Sequence, residues 1–205
     1  MGKTLDYILK KYKLDPEQKS PLTLPISRFK GLPRLFKELG FKAGAEIGVL
    51  QGKYSKVLCR AIPELKLYSI DAWRDYRPYG DFRGQEKFDV IYEEVKTRLA
   101  PYNCEVIRKL SMDAVKDFED ESLDFVFIDA NHAFEYVTED IAGLSKKVRK
   151  GGIVSGHDFF RSGGRMRHIN VKDVVQAWTY SHKIKTWFVI GKKEDKYPSW
   201  MWVKE

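Results

Sequence analysis

Cysteine is nearly absent from this chain, with Cys59 and Cys104 the only two among 205 residues. Both lie inside apolar segments, away from the paired spacings of a disulfide framework or a zinc site, and read as buried reduced thiols. No apolar run approaches the ~20 residues that span a bilayer. The N-terminal MGKTLDYILKKYKLDPEQKS also lacks the continuous apolar stretch of a signal peptide. The expectation is a cytoplasmic protein with no membrane partner. Internal repeats, low-complexity tracts and domain-splitting linkers are missing as well, so solenoid and multidomain organisations are set aside.

What is present is ordinary for a globular chain: 43% hydrophobic and 32% charged residues. The length suits one domain with a sizeable core. A net charge of +8 raises the question of nucleic acid. The basic residues, however, are scattered along helix faces and turns, with the densest groups at 10–13, 146–150 and the arginine-bearing 161–168, and chiefly serve solubility.

Residues 1–26 read as a short helix with Leu5, Ile8, Leu9 and Tyr12 on one face, then a proline-punctuated arm. Residues 27–205 form the main domain. Leu32, Leu35, Phe36 and Leu39 make a helical stripe with Pro33 in its first turn and Gly40 behind it. Strand-length apolar runs follow at 43–49, 66–71, 104–109, 123–129 and 152–156. Helical spacing separates them, as in Phe88, Ile91, Val95 and Leu99, and in Phe134, Val137, Ile141, Leu144 and Val148. This rhythm predicts a doubly wound, mainly parallel α/β sheet of Rossmann-like type. Val171, Val174, Val175 and Trp178 mark a last helix, and runs at 186–190 and 199–203 are too close for a crossover. They are expected to pair antiparallel, giving seven strands with a C-terminal hairpin.

In such sheets ligands bind beyond the C-terminal strand ends. The first strand ends Glu46-Ile47-Gly48-Val49-Leu50-Gln51-Gly52, a G-x-x-x-G turn and not the G-x-G-x-x-G of a pyrophosphate site. Glu46 there would repel phosphate and suit a cationic ligand such as one with an amino-acid end. Asp71 closes the second strand at the spacing of a ribose-binding acid, though a solvated strand-end aspartate reads the same way.

The series E-I-G-V-L-Q-G, S-I-D-A-W, D-F-V-F-I-D-A-N-H and G-G-I-V-S-G-H-D-F, in that order, resembles class I S-adenosylmethionine (SAM)-dependent methyltransferases. It is most similar to the small branch of macrocin-type and related sugar or natural-product O-methyltransferases, over about residues 40–205. The resemblance implies that Glu46, Gly48, Val49 and Gly52 hold the methionine end of SAM and that Asp71 holds the ribose, with Ala72 following it. It places Ser111, Met112 and Asp113 near the adenine; Ser111 also reads as a helix N-cap. Trp73 could stack on the cofactor, shape the acceptor pocket or simply pack.

By the same resemblance Asp129 faces the sulfonium side of SAM or a divalent cation, and His132, three residues on, lies near the acceptor. A neutral imidazole at pH 7 can take a hydroxyl proton; a capping or solvent role is the alternative. Asp129 and Asp158 could share one Mg²⁺, but Phe159 stands where metal-dependent relatives usually carry another carboxylate or amide. The segments 72–84 and 160–170, rich in arginine, aromatics and glycine, read as acceptor-facing loops for an acidic or phosphate-bearing small molecule. The absence of N/D-P-P-Y/F after the fourth strand, and of any Pro-Cys pair, excludes the usual adenine and pyrimidine methylation sites. The expected activity is therefore SAM-dependent O-methylation of a small molecule. An RNA methyltransferase and a SAM-binding protein without turnover remain the alternatives, and a homo-oligomer stays open.

Overall fold

The structure, a computed structural model, describes residues 2–75, 84–164, 167–191 and 197–205, with the side chains of 163, 164, 167 and 168 left aside. An eight-stranded sheet runs through the chain: β1 (Leu22–Leu24), β2 (Ala43–Ile47), β3 (Lys66–Asp71), β4 (Cys104–Arg108), β5 (Leu123–Ile128), β6 (Val148–Gly156), β9 (Trp187–Ile190) and β10 (Ser199–Val203). Their spatial order is β1-β9-β10-β6-β5-β2-β3-β4. The pairs among β4, β3, β2, β5 and β6 are all parallel, while β10 runs antiparallel to both β6 and β9. The Rossmann-like sheet and its closing hairpin thus stand as expected.

The strand count needs correction from seven to eight. Leu22–Leu24 lies within the supposed arm and pairs in parallel with β9. Its burial alternates, with Leu22 and Leu24 inside and Thr23 outside, as an edge strand over a core requires. A further correction concerns the second acceptor-facing loop. Ser162–Gly164 and Arg167–Ile169 form a small antiparallel hairpin, β7 and β8, in place of an irregular loop.

Helices cover both faces. On one lie α1 (Lys3–Tyr12), α2 (Gly31–Glu38) and α3 (Lys53–Ala61); on the other lie α5 (Ser111–Ala114), α6 (Phe134–Lys147) and α7 (Val171–Ser181). Successive β5 residues serve the two layers alternately. Phe125 and Phe127 join Leu32, Phe36 and Leu58, while Val126 and Ile128 join Val137, Ile141 and Val174. Phe36 stacks on Phe125 at 4.2 Å between centroids, within the range where aromatic pairs add to simple burial. The α4 helix (Gln85–Leu99) packs Phe88, Val95 and Leu99 against Trp73 beside β3. α6 ends one residue earlier than its apolar spacing suggests, because Val148 already opens β6.

Residues 3–24 are built into the same core. Leu5, Ile8 and Leu9 of α1 are buried with Phe36 and Ile153, and the Thr4 hydroxyl donates to the Gly151 carbonyl at 2.7 Å. Among the described residues no helix is long and apolar enough to cross a membrane.

Candidate functional site

After β2 the chain turns into α3 on one side of the sheet, and β5 and β6 continue on the other. This reversal opens a cleft at the C-terminal strand ends. Its volume is about 570 Å³, which suits a small ligand or cofactor. Gly48 adopts φ +86° and donates to Ile70 O at 2.9 Å; a Cβ there would run into the Asp129 carbonyl. The tight turn therefore requires glycine on grounds of space as well as of conformation. Gly52, with φ +67°, starts α3 and lets it approach Val95 of α4.

Asp71 fixes the rest of this turn. Its Oδ2 accepts from the backbone N–H groups of Val49 and Leu50, at 2.9 and 2.8 Å, and its Oδ1 accepts from the Trp73 N–H at 2.8 Å. A carboxylate has room for further acceptor bonds, so these three leave it able to meet a ribose hydroxyl. The clamp holds Leu50 and Trp73 at positive φ, 47° and 38°, a costly state for such residues that ordinarily persists only where surroundings enforce it.

Glu46 lies at the floor of the cleft, 2% exposed. Burial pushes its carboxyl well above the usual carboxylate range, against the hydrogen bond from the Ser55 hydroxyl. Ser69 donates to Ser55 at 2.9 Å and touches Cys104 Sγ at 3.2 Å, continuing the buried polar chain away from the cleft. A cation entering the cleft would offset that burial and favour the ionised form of this carboxyl, whose bonded side-chain partner is the Ser55 hydroxyl.

At the other lip the ends of β5 and β6 bring together Asp129, His132 and Asp158. His132 is 8% exposed. Its Nε2 lies 3.1 Å from Asp158 Oδ2 and 3.4 Å from Asp129 Oδ1. Two carboxylates facing this nitrogen favour a proton on Nε2, which leaves Nδ1 as the basic atom. His157 Nδ1 meets Asp158 Oδ1 at 2.6 Å. Burial works to raise the Asp158 carboxyl, yet His157, His132 and Arg28 outweigh it and hold it below its ordinary value. Asp158 is also at positive φ, 53°.

Candidate metal-ligating atoms of Asp129, His132 and Asp158 all lie within 4.8 Å of one another. The two carboxylates fit a Mg²⁺ that keeps most of its waters, while the imidazole nitrogen turns the set toward Mn²⁺ and its like.

Most of the sequence-predicted site residues line this one cleft: Glu46, Gly48 and Val49 at its floor, Asp71 and Ala72 at the side, and Ser111 and Met112 farther along. Asp129, His132 and Asp158 close it. Three residues fall outside the lining. Trp73 is fully buried, donates from Nε1 to Leu50 O at 2.8 Å and packs on Tyr92; its indole supports the turn from behind. Gly52 acts through helix packing, and Asp113 turns to Lys116 at 2.9 Å. Ser111 is not the cap of α5, since Leu110 precedes it there; its hydroxyl bonds Asp140. The loop 72–84 is described only at Ala72–Asp75 and Gly84, and Arg165 and Met166 also lie outside the described residues.

Three lining residues carry no sequence signal of their own. Arg28 reaches in from the segment between β1 and α2, and its Nη1 donates to Asp129 Oδ2 at 3.1 Å. Tyr54 opens α3 and lies over Phe127. Asp140 sits on α6, 2% exposed, where burial pushes its carboxyl up to about 7 against the bond from Ser111. In the sequence each looks like an ordinary loop or helix residue.

The comparisons with known proteins agree with this geometry. Residues 45–159, more than half of the chain, match the family model described as Methyltransferase domain. No curated protein sequence gives a significant match. The O-methyltransferase from Bacillus cereus, solved in complex with SAH, has a TM-score of 0.62 and 19% identity, covering 100% of this chain and 92% of that one. The O-methyltransferase TomG from Streptomyces achromogenes, involved in tomaymycin synthesis and solved with SAM, has a TM-score of 0.59 and 19% identity, covering 100% and 91%. At such identities the two structures speak for the fold, and the family match speaks for the lineage. The chain belongs to the methyltransferase-domain family.

Proposed function

We propose that the protein binds SAM in this cleft and transfers its methyl group to a hydroxyl of a small-molecule acceptor. The observation that carries the reading is that the His132 imidazole and its two carboxylates line the same cleft as the Gly48 turn and Glu46. When bound, SAM supplies an already reactive sulfonium methyl, so the protein's work is alignment and proton handling. Glu46 and the Gly48–Gln51 turn receive the amino-acid end, Asp71 the ribose, and Ser111 and Met112 the adenine side. Asp129 faces the transferring methyl and the acceptor. Asp158 fixes the His132 tautomer, and His132 Nδ1 takes the acceptor proton. In a metal-assisted alternative to this proton route, Asp129 and Asp158 would hold a divalent cation with an unprotonated His132 Nε2 beside them, and its Lewis acidity, in place of the imidazole base, would lower the acceptor hydroxyl's pKa.

Several O-methyltransferases among the structural neighbours favour an oxygen acceptor over other nucleophiles. The test is calorimetric titration with S-adenosylhomocysteine, before and after chelation and with added Mg²⁺ or Mn²⁺, followed by methyl transfer to a panel of hydroxyl compounds. Micromolar binding with transfer to oxygen supports the reading. Absence of binding to the wild-type protein overturns it.

A further inference from the structure

Beside Glu46, the cleft ends in two groups to which the reading above gives no partner. The Tyr54 hydroxyl is buried, in a residue only 6% exposed, and has no hydrogen-bond partner. Its ring is fixed by Phe127 at 4.5 Å and edge-on by Phe29 at 5.8 Å between centroids, so the hydroxyl has little freedom to reach solvent. A buried phenol left unsatisfied costs about as much as a lost hydrogen bond. Since Tyr54 lines the cleft, a ligand entering there can supply the missing partner.

The second group is the Arg28 guanidinium. It stacks over Phe29 at 4.6 Å, lies 5.8 Å from the centre of the Tyr54 ring, and gives one hydrogen bond to Asp129. A guanidinium carries five donor hydrogens in a fork that matches a carboxylate. One part of the cleft thus gathers a buried carboxyl, a guanidinium and a spare phenol donor. That pattern is complementary to a zwitterion.

Resting on the SAM reading, we infer that Arg28 and Tyr54 bind the carboxylate of the donor's amino-acid portion while Glu46 receives its ammonium group. Arg28 precedes the segment that matches the methyltransferase family model, so this chain recruits its N-terminal segment to complete the donor site. The incoming carboxylate competes with Asp129 for the guanidinium and draws it away from the lip where acceptor chemistry takes place.

The test compares S-adenosylhomocysteine with 5′-methylthioadenosine, which keeps the adenosine and sulfur but lacks the amino-acid portion. Both are titrated into wild type, Arg28→Met and Tyr54→Phe, with ligand-free thermal midpoints measured alongside. Arg28→Met should weaken S-adenosylhomocysteine by about 10–100-fold and Tyr54→Phe by about 3–10-fold, the size of losing bonds to a charged group. 5′-Methylthioadenosine should stay within about two-fold in both. Tyr54→Phe should also leave the ligand-free midpoint unchanged or higher, because it removes an unsatisfied hydroxyl. Unchanged S-adenosylhomocysteine affinity, or parallel loss of both ligands, overturns the carboxylate clamp alone. Failure of both ligands to bind wild type overturns the SAM reading and the clamp with it.

Discussion

Asp71 and Asp129 end strands on either side of β2, and both face the cleft, yet they are held in opposite ways. Asp71 accepts three backbone N–H bonds from its own end and from the neighbouring turn. Asp129 is met by side-chain groups on Arg28 and His132, each able to leave. Main-chain donors cannot swing away without unfolding the turn, whereas a guanidinium or imidazole exchanges partners by rotamer changes. The β3 side is thus a rigidly preorganised turn, and the β5–β6 side is an ionic cluster whose partners can exchange.

The contrast breaks most sharply at His132. His132→Ala should lower turnover by about 10²–10⁴-fold, the usual span of general base catalysis, with S-adenosylhomocysteine affinity within about two-fold of wild type. Single-turnover assays together with calorimetry measure both; wild-type turnover would remove the imidazole from the mechanism.

Next in size is Asp71→Asn, which keeps one acceptor oxygen and aims an amide donor at backbone N–H groups. We expect S-adenosylhomocysteine to bind about 10–100-fold more weakly. Any turnover defect should be recovered at saturating donor. A protein that loses maximal turnover and keeps its affinity would erase the distinction between the two sides.

The smallest effect concerns Asp140, beneath Ser111. Its carboxyl is raised from an ordinary 3.8 to about 7, so at intermediate pH the folded protein holds a proton that the unfolded chain releases. Its contribution to stability is fully present below about 3.8 and is lost as pH rises through about 7. Between pH 6 and 8 that loss is about 1 kcal/mol, or about 2–4 °C in thermal midpoint for a chain of this size. Asp140→Asn should flatten the midpoint curve over this interval. Identical wild-type and variant slopes would place the titration elsewhere.

Elements with strong periodicity could be read from the sequence. α7 is found at Val171–Ser181, over the stripe its spacing marks, because Val171, Val174 and Val175 repeat on one face. The last hairpin is betrayed by its short connection. β1 was hidden since three residues between prolines carry too little alternation to declare a strand. At the site, Glu46, Asp71, Asp129 and Asp158 were visible because strand ends give carboxylates a functional context. Arg28 and Asp129 are 101 positions apart, and no local pattern joins them. Asp140 stands in a polar run of α6, and only the fold turns it inward. Of the three roles open to Trp73, packing is the one its surroundings show: it is fully buried and its N–H is given to Leu50 O.

The three residues of β1 also bear on how the protein behaves in concentrated solution. They cover the outer edge of β9, whose Trp187, Phe188 and Ile190 are buried. A boundary drawn at the start of the family match would strip that cover and present a bare apolar strand edge, a template for pairing with other copies. Starting the chain at residue 45 would then remove Arg28 and, by the same cut, promote aggregation.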